Sequence, residues 1–303
     1  IGEARETGAL VEAALCYTGD ILDPGRRRYD LRYYVRLARD LARTGVHLLA
    51  VKDMAGLCRP AAAERLVKAL REETGLPVHF HTHDTAGIQA AAVLAAAGAG
   101  AAVVDLAMAP WSGLTSQPNL NSVVAALRHT RRETGLDLAA ANEAARAWGT
   151  VRALYAPFES GMLAPTAEVY DHEIPGGQYS NLLQQATALG LADRWDDLTR
   201  AYAEVDALLG GITKVTPSSK VVGDLAQYLV ANGIRAADVA RRADELELPP
   251  SFVEFLEGRI GVPPYGFPKA LYDRMEIVST RGAGSIAFEI AAKARHLHAR
   301  GAS

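Results

Sequence analysis

Short apolar runs alternate with segments of helical spacing through the first part of the chain. The runs that predict buried strands cover residues 13–18, 46–52, 78–83 and 102–107. After each run, apolar side chains recur every three to four residues, as on one face of a helix. Strands that alternate with helices at a period of roughly 25–30 residues favour βα units with a parallel sheet.

Glycine and proline mark the ends of the predicted helices. Pro60 opens the helix that follows the second run, and Gly75 ends it. Gly45, Gly75 and Gly98 stand where the turn from a helix to the next strand needs a positive φ. These signals support separate helices between the strands.

Two α/β folds are compatible with this pattern, a doubly wound sheet and a (β/α)8 barrel. No glycine-rich phosphate-binding motif follows any of the strands, which weakens the doubly wound, nucleotide-binding alternative. A complete barrel has eight units and typically about 250 residues. Because only four strands are evident before residue 127, either half of a barrel is missing on the N-terminal side or the fold is not a barrel.

Beyond residue 130 helical spacing dominates. The predicted helices cover residues 139–154, 180–189, 195–209, 219–232, 236–246 and 251–259. We therefore predict three parts: a sheet-containing domain over 1–130, a mainly helical region over 131–275, and a tail of unknown role over 276–303.

Composition excludes several classes of protein. A net charge of −3 offers no basic surface for nucleic acid. The longest apolar run, 89–109, is too weakly hydrophobic and too often interrupted by glycine for a membrane span. Cys16 and Cys58 are the only cysteines, which fits a reducing compartment. We expect a bacterial cytoplasmic protein, and because Ile1 begins a helix-like segment without a visible leader, a piece of a longer one.

The sharpest chemical signal is a run of alternating histidines, His79, His81 and His83, in the third predicted strand. Alternate side chains of a strand share a face, and a β/α barrel places its active site at the carboxyl ends of its strands. We therefore predict that His81 and His83 bind one metal ion, and that His79, deeper on the same face, is a hydrogen-bonded core residue. Hydrogen-bonded core residues are the alternative for all three.

Further candidates lie at other strand ends and in the helical region. Lys52 ends the preceding strand at the same level as the histidine pair, although a lysine there could also simply reach solvent. Asp20 and Asp105 are weaker candidates for an additional ligand, and we expect Asp53 to hold its loop. The segment KVTPSSK, residues 214–220, predicts a helix start with Thr216 as its N-cap, whose hydroxyl could relay a proton.

The motifs resemble the carboxyltransferase domains of the pyruvate carboxylase family over residues 3–274. The matching segments are CYTGD (16–20), KDMAGL (52–57), HTHDT (81–85), SGLTSQP (112–118), PGGQYSNL (175–182) and residues 214–224. Oxaloacetate decarboxylase α chains and transcarboxylase share the barrel motifs, whereas TGD and GGQY look more like pyruvate carboxylase.

The resemblance implies the second half of a (β/α)8 barrel followed by a helical extension. It implies that Lys52 is carbamylated and binds Zn²⁺ or Mn²⁺ together with His81 and His83. Thr216 would move a proton between pyruvate and biotin, and Ser219 would help line the biotin pocket. The reaction would transfer the carboxyl group of carboxybiotin to pyruvate and give oxaloacetate.

The resemblance also implies partners that this chain does not contain. They are four earlier barrel strands with an aspartate ligand and the groups that hold pyruvate, a biotin carboxylase domain and a biotin carrier domain, in a homo-oligomer. We therefore expect the isolated chain to be inactive. A metal-dependent aldol-type lyase and a non-catalytic fragment or assembly module of a split protein remain alternatives.

Overall fold

The computed structural model describes residues 1–243, 245–269 and 271–273, so the predicted tail over 276–303 lies outside the described residues. Contacts between residues divide the chain into two compact units, Ile1–Asn181 and Leu182–Ser303. This division lies further along the chain than residue 130, where the sequence pattern changes. The domain boundaries at 130 and 275 stay a prediction.

The first unit contains a four-stranded parallel sheet. Its strands are β1 (Glu12–Cys16), β2 (Leu48–Asp53), β3 (Val78–Thr82) and β4 (Val103–Val104). A doubly wound sheet reverses its strand order at a switch point, whereas each strand of a β/α barrel is added beside the previous one. The unreversed order β1-β2-β3-β4 supports the barrel and confirms the predicted α/β fold.

The fourth strand is shorter than the predicted run 102–107. It pairs with β3 over two residues only. The backbone N–H of Ala107 donates instead to Pro118 O at 3.0 Å, because the chain leaves β3 and meets the loop that precedes the next helix. The position of the predicted strand was right, and its length was wrong.

One short helix precedes the sheet of the first unit, and the other helices follow its strands. In chain order, these helices are α1 (Gly2–Glu6), α2 (Leu31–Arg43), α3 (Pro60–Thr74), α4 (Gln89–Gly98), α5 (Leu120–Leu127), α6 (Leu138–Arg152), α7 (Val169–His172) and α8 (Gly176–Ala188), the last of which continues past residue 181. Gly75 ends α3 with φ +69°, as predicted. Gly98 is still a helical residue of α4, and Gly100 adopts the positive φ instead, so the prediction for Gly98 was wrong.

The two faces of the sheet differ in character. Leu15, Val51 and Phe80 are paired in register across β1, β2 and β3 and are almost completely buried. They form one core with side chains of α2 and α3, such as Tyr34 and Leu66. Burial of one such large apolar side chain contributes roughly 1.5–3 kcal/mol. The opposite face carries the alternate residues of each strand, among them the polar side chains of Glu12, Lys52, His79 and His81.

The described part of the second unit is helical. Besides the end of α8 it contains α9 (Trp195–Leu208), α10 (Ser218–Asn232) and α11 (Pro250–Leu256). The helix predicted over 236–246 was wrong: in the described part of this segment, which leaves out residue 244, a 3₁₀ turn, Ala236–Asp238, is followed by turns and not by a helix. Val239 and Ala243, which produced the helical spacing, are nevertheless buried. Across the described residues, no helix combines the length and the hydrophobicity that crossing a bilayer requires.

Candidate active site

A row of three side chains crosses the sheet at the carboxyl ends of its strands. Cys16, Lys52 and His81 are Cα partners in register on β1, β2 and β3. All three are half-buried. Since alternate residues of a strand point to opposite faces, this row lies on the face away from the helix-covered core. The structure thus places Lys52 beside His81 on adjacent strands.

His83 follows β3 and turns its ring toward that of His81. The two Nε2 atoms are 3.3 Å apart. The two Nδ1 atoms are occupied: Nδ1 of His81 lies 2.7 Å from Oδ2 of Asp105, and Nδ1 of His83 lies 2.7 Å from the carbonyl oxygen of Thr115. A metal-binding histidine commonly uses its second ring nitrogen in this way.

The hydrogen-bond partners fix which ring nitrogens carry protons. A carbonyl oxygen only accepts, so Nδ1 of His83 donates. Burial is the main reason why the pKa of His83 is lowered, and the charges of His81 and Lys52 lower it further. The hydrogen bond to Thr115 acts in the opposite direction but does not compensate. His83 is therefore neutral near pH 7, and its Nε2 presents a lone pair.

The carboxylate of Asp105 orients the ring of His81, as the carbonyl of Thr115 orients the ring of His83. Burial raises the pKa of Asp105, but its close contacts with the rings of His81 and His79 outweigh that rise and lower the pKa overall. The ionised carboxylate accepts from Nδ1 of His81, which leaves Nε2 of that ring directed at Nε2 of His83, 3.3 Å away. The two Nε2 atoms thus converge, as two ligands of one cation do.

The spacing of the two nitrogens fits a shared metal ion. Two nitrogens that each lie about 2.1 Å from one tetrahedral ion are about 3.4 Å apart, close to the separation of the His81 and His83 Nε2 atoms. Among the described residues, no group of three His, Cys, Asp or Glu side chains is arranged to hold a metal.

The two aspartates predicted as candidates for a further ligand have other partners. Asp105 turns Oδ2 toward His81 and Oδ1 toward His79, at 2.7 and 2.9 Å, which is the position of an outer carboxylate that orients a ligand. Asp20 accepts from the backbone N–H of Leu22 at 2.9 Å and forms an ion pair with Arg59.

Asp53 has the loop-holding position that the sequence analysis expected. It is fully buried, and its carboxylate accepts from the N–H groups of Leu57 and Cys58 at 2.8 and 2.9 Å and from Thr82 Oγ1 at 2.7 Å. Burial raises the pKa of Asp53 to about 6 despite these three hydrogen bonds. Asp53 thereby ties the loop after β2 to the end of β3.

Two glycines that the sequence analysis used only as motif letters pack directly against His83. A Cβ on Gly176 would lie 2.7 Å from both Nδ1 of His83 and the carbonyl oxygen of Thr115. A Cβ on Gly56, where φ is +71°, would lie 2.3 Å from the carbonyl oxygen of His83. The glycines of the KDMAGL and PGGQY motifs indicated that these positions have no room for a side chain. The sequence could not show that the residue they pack against is His83.

The predicted proton-transfer and biotin-binding residues lie in the second unit, around the start of α10. Thr216 is exposed, and Ser219 is 2% exposed. The predicted N-cap was wrong: Pro217 takes the N-cap position, and no side chain caps the helix. The hydroxyl of Ser218 instead lies 2.6 Å from Thr213 O, so the turn that precedes α10 is held by a residue inside the helix. The hydroxyl of Thr216 is thus not committed to a cap.

Two protein families match the two parts of the chain. The HMGL-like family matches residues 23–147, which include the sheet and the histidine pair. The family described as conserved carboxylase domain matches residues 169–295. The second match extends further than the motif resemblance, which ended at residue 274.

Curated relatives match most of this chain. Pyruvate carboxylase 1 of Caenorhabditis elegans is 49% identical over 269 residues, which are 88% of this chain and 23% of the relative. Pyruvate carboxylase of Bacillus subtilis (strain 168) is 46% identical over 271 residues, 89% of this chain and 24% of the relative. The chain spans about a quarter of the length of these relatives.

Solved structures of a carboxyltransferase domain share the fold. The carboxyl transferase domain from Rhizobium etli pyruvate carboxylase with pyruvate aligns with a TM-score of 0.87 and 53% identity, over 89% of this chain and 45% of that one. The same domain with pyruvate and biocytin gives a TM-score of 0.88 and 52% identity, over 90% and 46%. From the parallel sheet, the family matches and these likenesses, the chain is similar over most of its length to pyruvate carboxylase carboxyltransferase domains, of which it spans a little under half.

Proposed function

We propose that this chain supplies part of the carboxyltransferase site of a biotin-dependent pyruvate carboxylase, which moves a carboxyl group from carboxybiotin to pyruvate to give oxaloacetate. The observation that carries the proposal is the pair of converging Nε2 atoms on His81 and His83. It occurs in a chain that is about half identical to a domain solved with pyruvate. The pair offers two imidazole nitrogens to a Zn²⁺ or Mn²⁺ ion.

Lys52 is proposed as the third ligand after carbamylation. Its amine in the neutral form adds to CO2 and releases a proton, which converts a cation into an anionic oxygen ligand. The position of Lys52 supports this role, since it is in register with His81 on the adjacent strand. Its charge also acts on His83. A bound divalent ion would supply electrostatic stabilisation of the enolate oxygen that forms when pyruvate loses a methyl proton.

Thr216 is proposed to carry that proton. Carboxybiotin releases CO2 and leaves biotin with an electron pair at N1, and the methyl group of pyruvate must lose a proton before its carbon can bond to CO2. A hydroxyl that accepts the methyl proton and gives its own to N1 balances both steps. Thr216 is exposed and makes no capping bond, which leaves its hydroxyl available. Ser219 is proposed to line the biotin pocket.

The proposed enzyme needs components beyond this chain. These are the first half of the barrel, with further groups for the metal and pyruvate, and domains that carboxylate and carry biotin, in a homo-oligomer. The alternative of an aldol-type lyase explains the match of the HMGL-like family. It does not explain the conserved carboxylase domain over residues 169–295, and that second match favours carboxyl transfer.

Metal analysis of the purified chain tests the proposal. We expect Zn or Mn after dialysis, and a native mass that includes one added CO2 when bicarbonate is present. Lys52→Arg keeps the cation but cannot form the carbamate, and should lower metal affinity by at least about tenfold. Lys68→Arg, on the exposed side of α3, is the matched control. Metal content that is unchanged by His81→Ala would contradict the site, and equal affinity in Lys52→Arg would contradict the carbamate alone.

A further inference from the structure

A second line of polar side chains runs across the same sheet face, below the proposed metal site. Nδ1 of His79 lies 2.9 Å from Oε2 of Glu12, and Nε2 lies 2.9 Å from Oδ1 of Asp105. The other carboxylate oxygen of Asp105 lies 2.7 Å from Nδ1 of His81. Glu12, His79 and Asp105 thus form a continuous chain of contacts that ends on a proposed metal ligand.

The strand register explains why these residues meet. Glu12 is on β1 and His79 is on β3, with the whole of β2 between them. Strands twice removed are about 9.6 Å apart, since neighbours are separated by about 4.8 Å. The residue of β2 in register with His79 is Ala50. Ala50 adds only a methyl group to this face. The partner of Glu12 on β2 is Leu48, so the Glu12 side chain also runs along the strands by about two residues to reach His79.

We propose that Glu12 and His79 are positioning residues for His81 and act on it through Asp105. This inference rests on the proposed function, because it assigns His81 to the metal. Asp105 can hold the Nδ1 proton of His81 only while its carboxylate stays in the plane of that ring. Nε2 of His79 lies against the second oxygen in an ion-pair contact, without the alignment of a hydrogen bond, and this contact restrains rotation of the carboxylate. The hydrogen bond between Glu12 and Nδ1 restrains the ring of His79.

A purely structural role explains the cluster less well. The side chains of His79, Glu12 and Asp105 are 17%, 36% and 39% exposed, and ion pairs with such access to solvent contribute little to stability. The core of the unit lies on the other face of the sheet. What the cluster does determine is the orientation of Asp105, and through it the ring nitrogen that His81 presents to a metal.

The experiment compares variants of the full chain by two readouts. The first is Mn²⁺ affinity. The second is the tautomer of His81 in the metal-free chain, measured by ¹⁵N NMR of the ring nitrogens. Glu12→Ala and His79→Ala should weaken Mn²⁺ binding by about tenfold, the lower end of the effect expected for outer partners of a metal ligand. Both should increase the share of His81 that carries its proton on Nε2. Glu12→Gln retains an acceptor oxygen and should keep most of the wild-type behaviour.

Glu64→Ala is the matched control, because Glu64 is an exposed glutamate of α3 in the same unit. It should change neither readout. Glu12→Ala and His79→Ala variants that fold and keep both the affinity and the His81 tautomer of the wild type would overturn the inference. If the wild-type chain binds no Mn²⁺, the metal assignment fails, whereas the tautomer measurement, which needs no metal, still decides whether Glu12 and His79 position His81.

Discussion

Gly176 lies directly against the hydrogen bond that orients His83. A Cβ at this position would be 2.7 Å from the donor, Nδ1 of His83, and 2.7 Å from the acceptor, the carbonyl oxygen of Thr115. Gly176 is anchored there because its own N–H donates to Met54 O at 2.8 Å. The His83 ring can therefore keep its present orientation only if residue 176 has no side chain.

Gly176→Ala should weaken metal binding without unfolding the chain. The added methyl group separates Nδ1 of His83 from Thr115 O, so the ring loses the contact that directs Nε2 toward His81. We expect a fall in Zn²⁺ or Mn²⁺ affinity of about 10- to 100-fold, measured by competition with a chelator. Gly177→Ala is the control, since Gly177 is exposed and nothing lies within 4 Å of its added Cβ. Equal losses in the two variants would show that the helix start, not the contact with His83, is responsible.

Gly56→Ala should destabilise the first unit more than an ordinary glycine replacement. The left-handed backbone costs about 1–2 kcal/mol for a residue with a Cβ. The contact of 2.3 Å with the carbonyl oxygen of His83 adds about 1–3 kcal/mol of overpacking. Urea unfolding should therefore show a loss of about 2–5 kcal/mol. Gly75→Ala, with φ +69° and open space around the added Cβ, should lose only the backbone part, and similar losses in both variants would contradict the role of the His83 contact.

The histidine pair could be predicted because strand alternation is a local property. His81 lies in β3 and His83 lies one residue beyond its end, so the period of two indicated the shared face although one of the pair is outside the strand. The position of Lys52 followed almost as directly, since a βα unit sets each strand beside the previous one. These predictions needed only the order of the strands and the place where each strand ends.

The partners of the pair could not be predicted, because each comes from a distant segment. The acceptor for His83 is a backbone carbonyl of Thr115, 32 residues further along in a loop without regular structure. A carbonyl has no signature in the sequence. The role of Asp105 depends on where β4 leaves the sheet, and the predicted strand was too long there. The failed helix over 236–246 has a similar cause, since two buried side chains on a turn produce the same spacing as one turn of a helix.

The stability of the chain should depend on the titration of Asp53. Burial raises the pKa of Asp53 in the folded chain to about 6 from the ordinary value of 3.8. The folded state thus binds the proton more tightly than the unfolded state. The resulting stabilisation is fully present below about pH 4 and is lost as the pH rises through about 6. Its size is on the order of 3 kcal/mol, from about two pKa units at 1.36 kcal/mol each.

Urea unfolding of the wild type and of Asp53→Asn at about pH 4 and about pH 7.5 isolates this contribution. The amide does not titrate, so the wild type should lose more stability than the variant between the two pH values. Replacement of one acceptor oxygen by an NH2 group also disturbs the hydrogen bonds from Cys58 and Thr82. The resulting loss in the free energy of unfolding is the same at both pH values, so it does not affect the comparison. Parallel pH profiles in the two proteins would mean that Asp53 titrates normally.

Thr216 offers the test that separates chemistry from metal binding. In a complete enzyme that contains this chain, Thr216→Ala should lower the rate of oxaloacetate formation by at least about 10²-fold, the effect expected for loss of a positioned proton carrier. The metal content should stay unchanged, since Thr216 belongs to the second unit and the proposed ligands belong to the first. Thr216→Ser retains the hydroxyl and should recover much of the activity, whereas Thr213→Ala, which removes a nearby hydroxyl, should have little effect. Undiminished turnover in Thr216→Ala would remove Thr216 from the mechanism and leave the His81 and His83 site untouched.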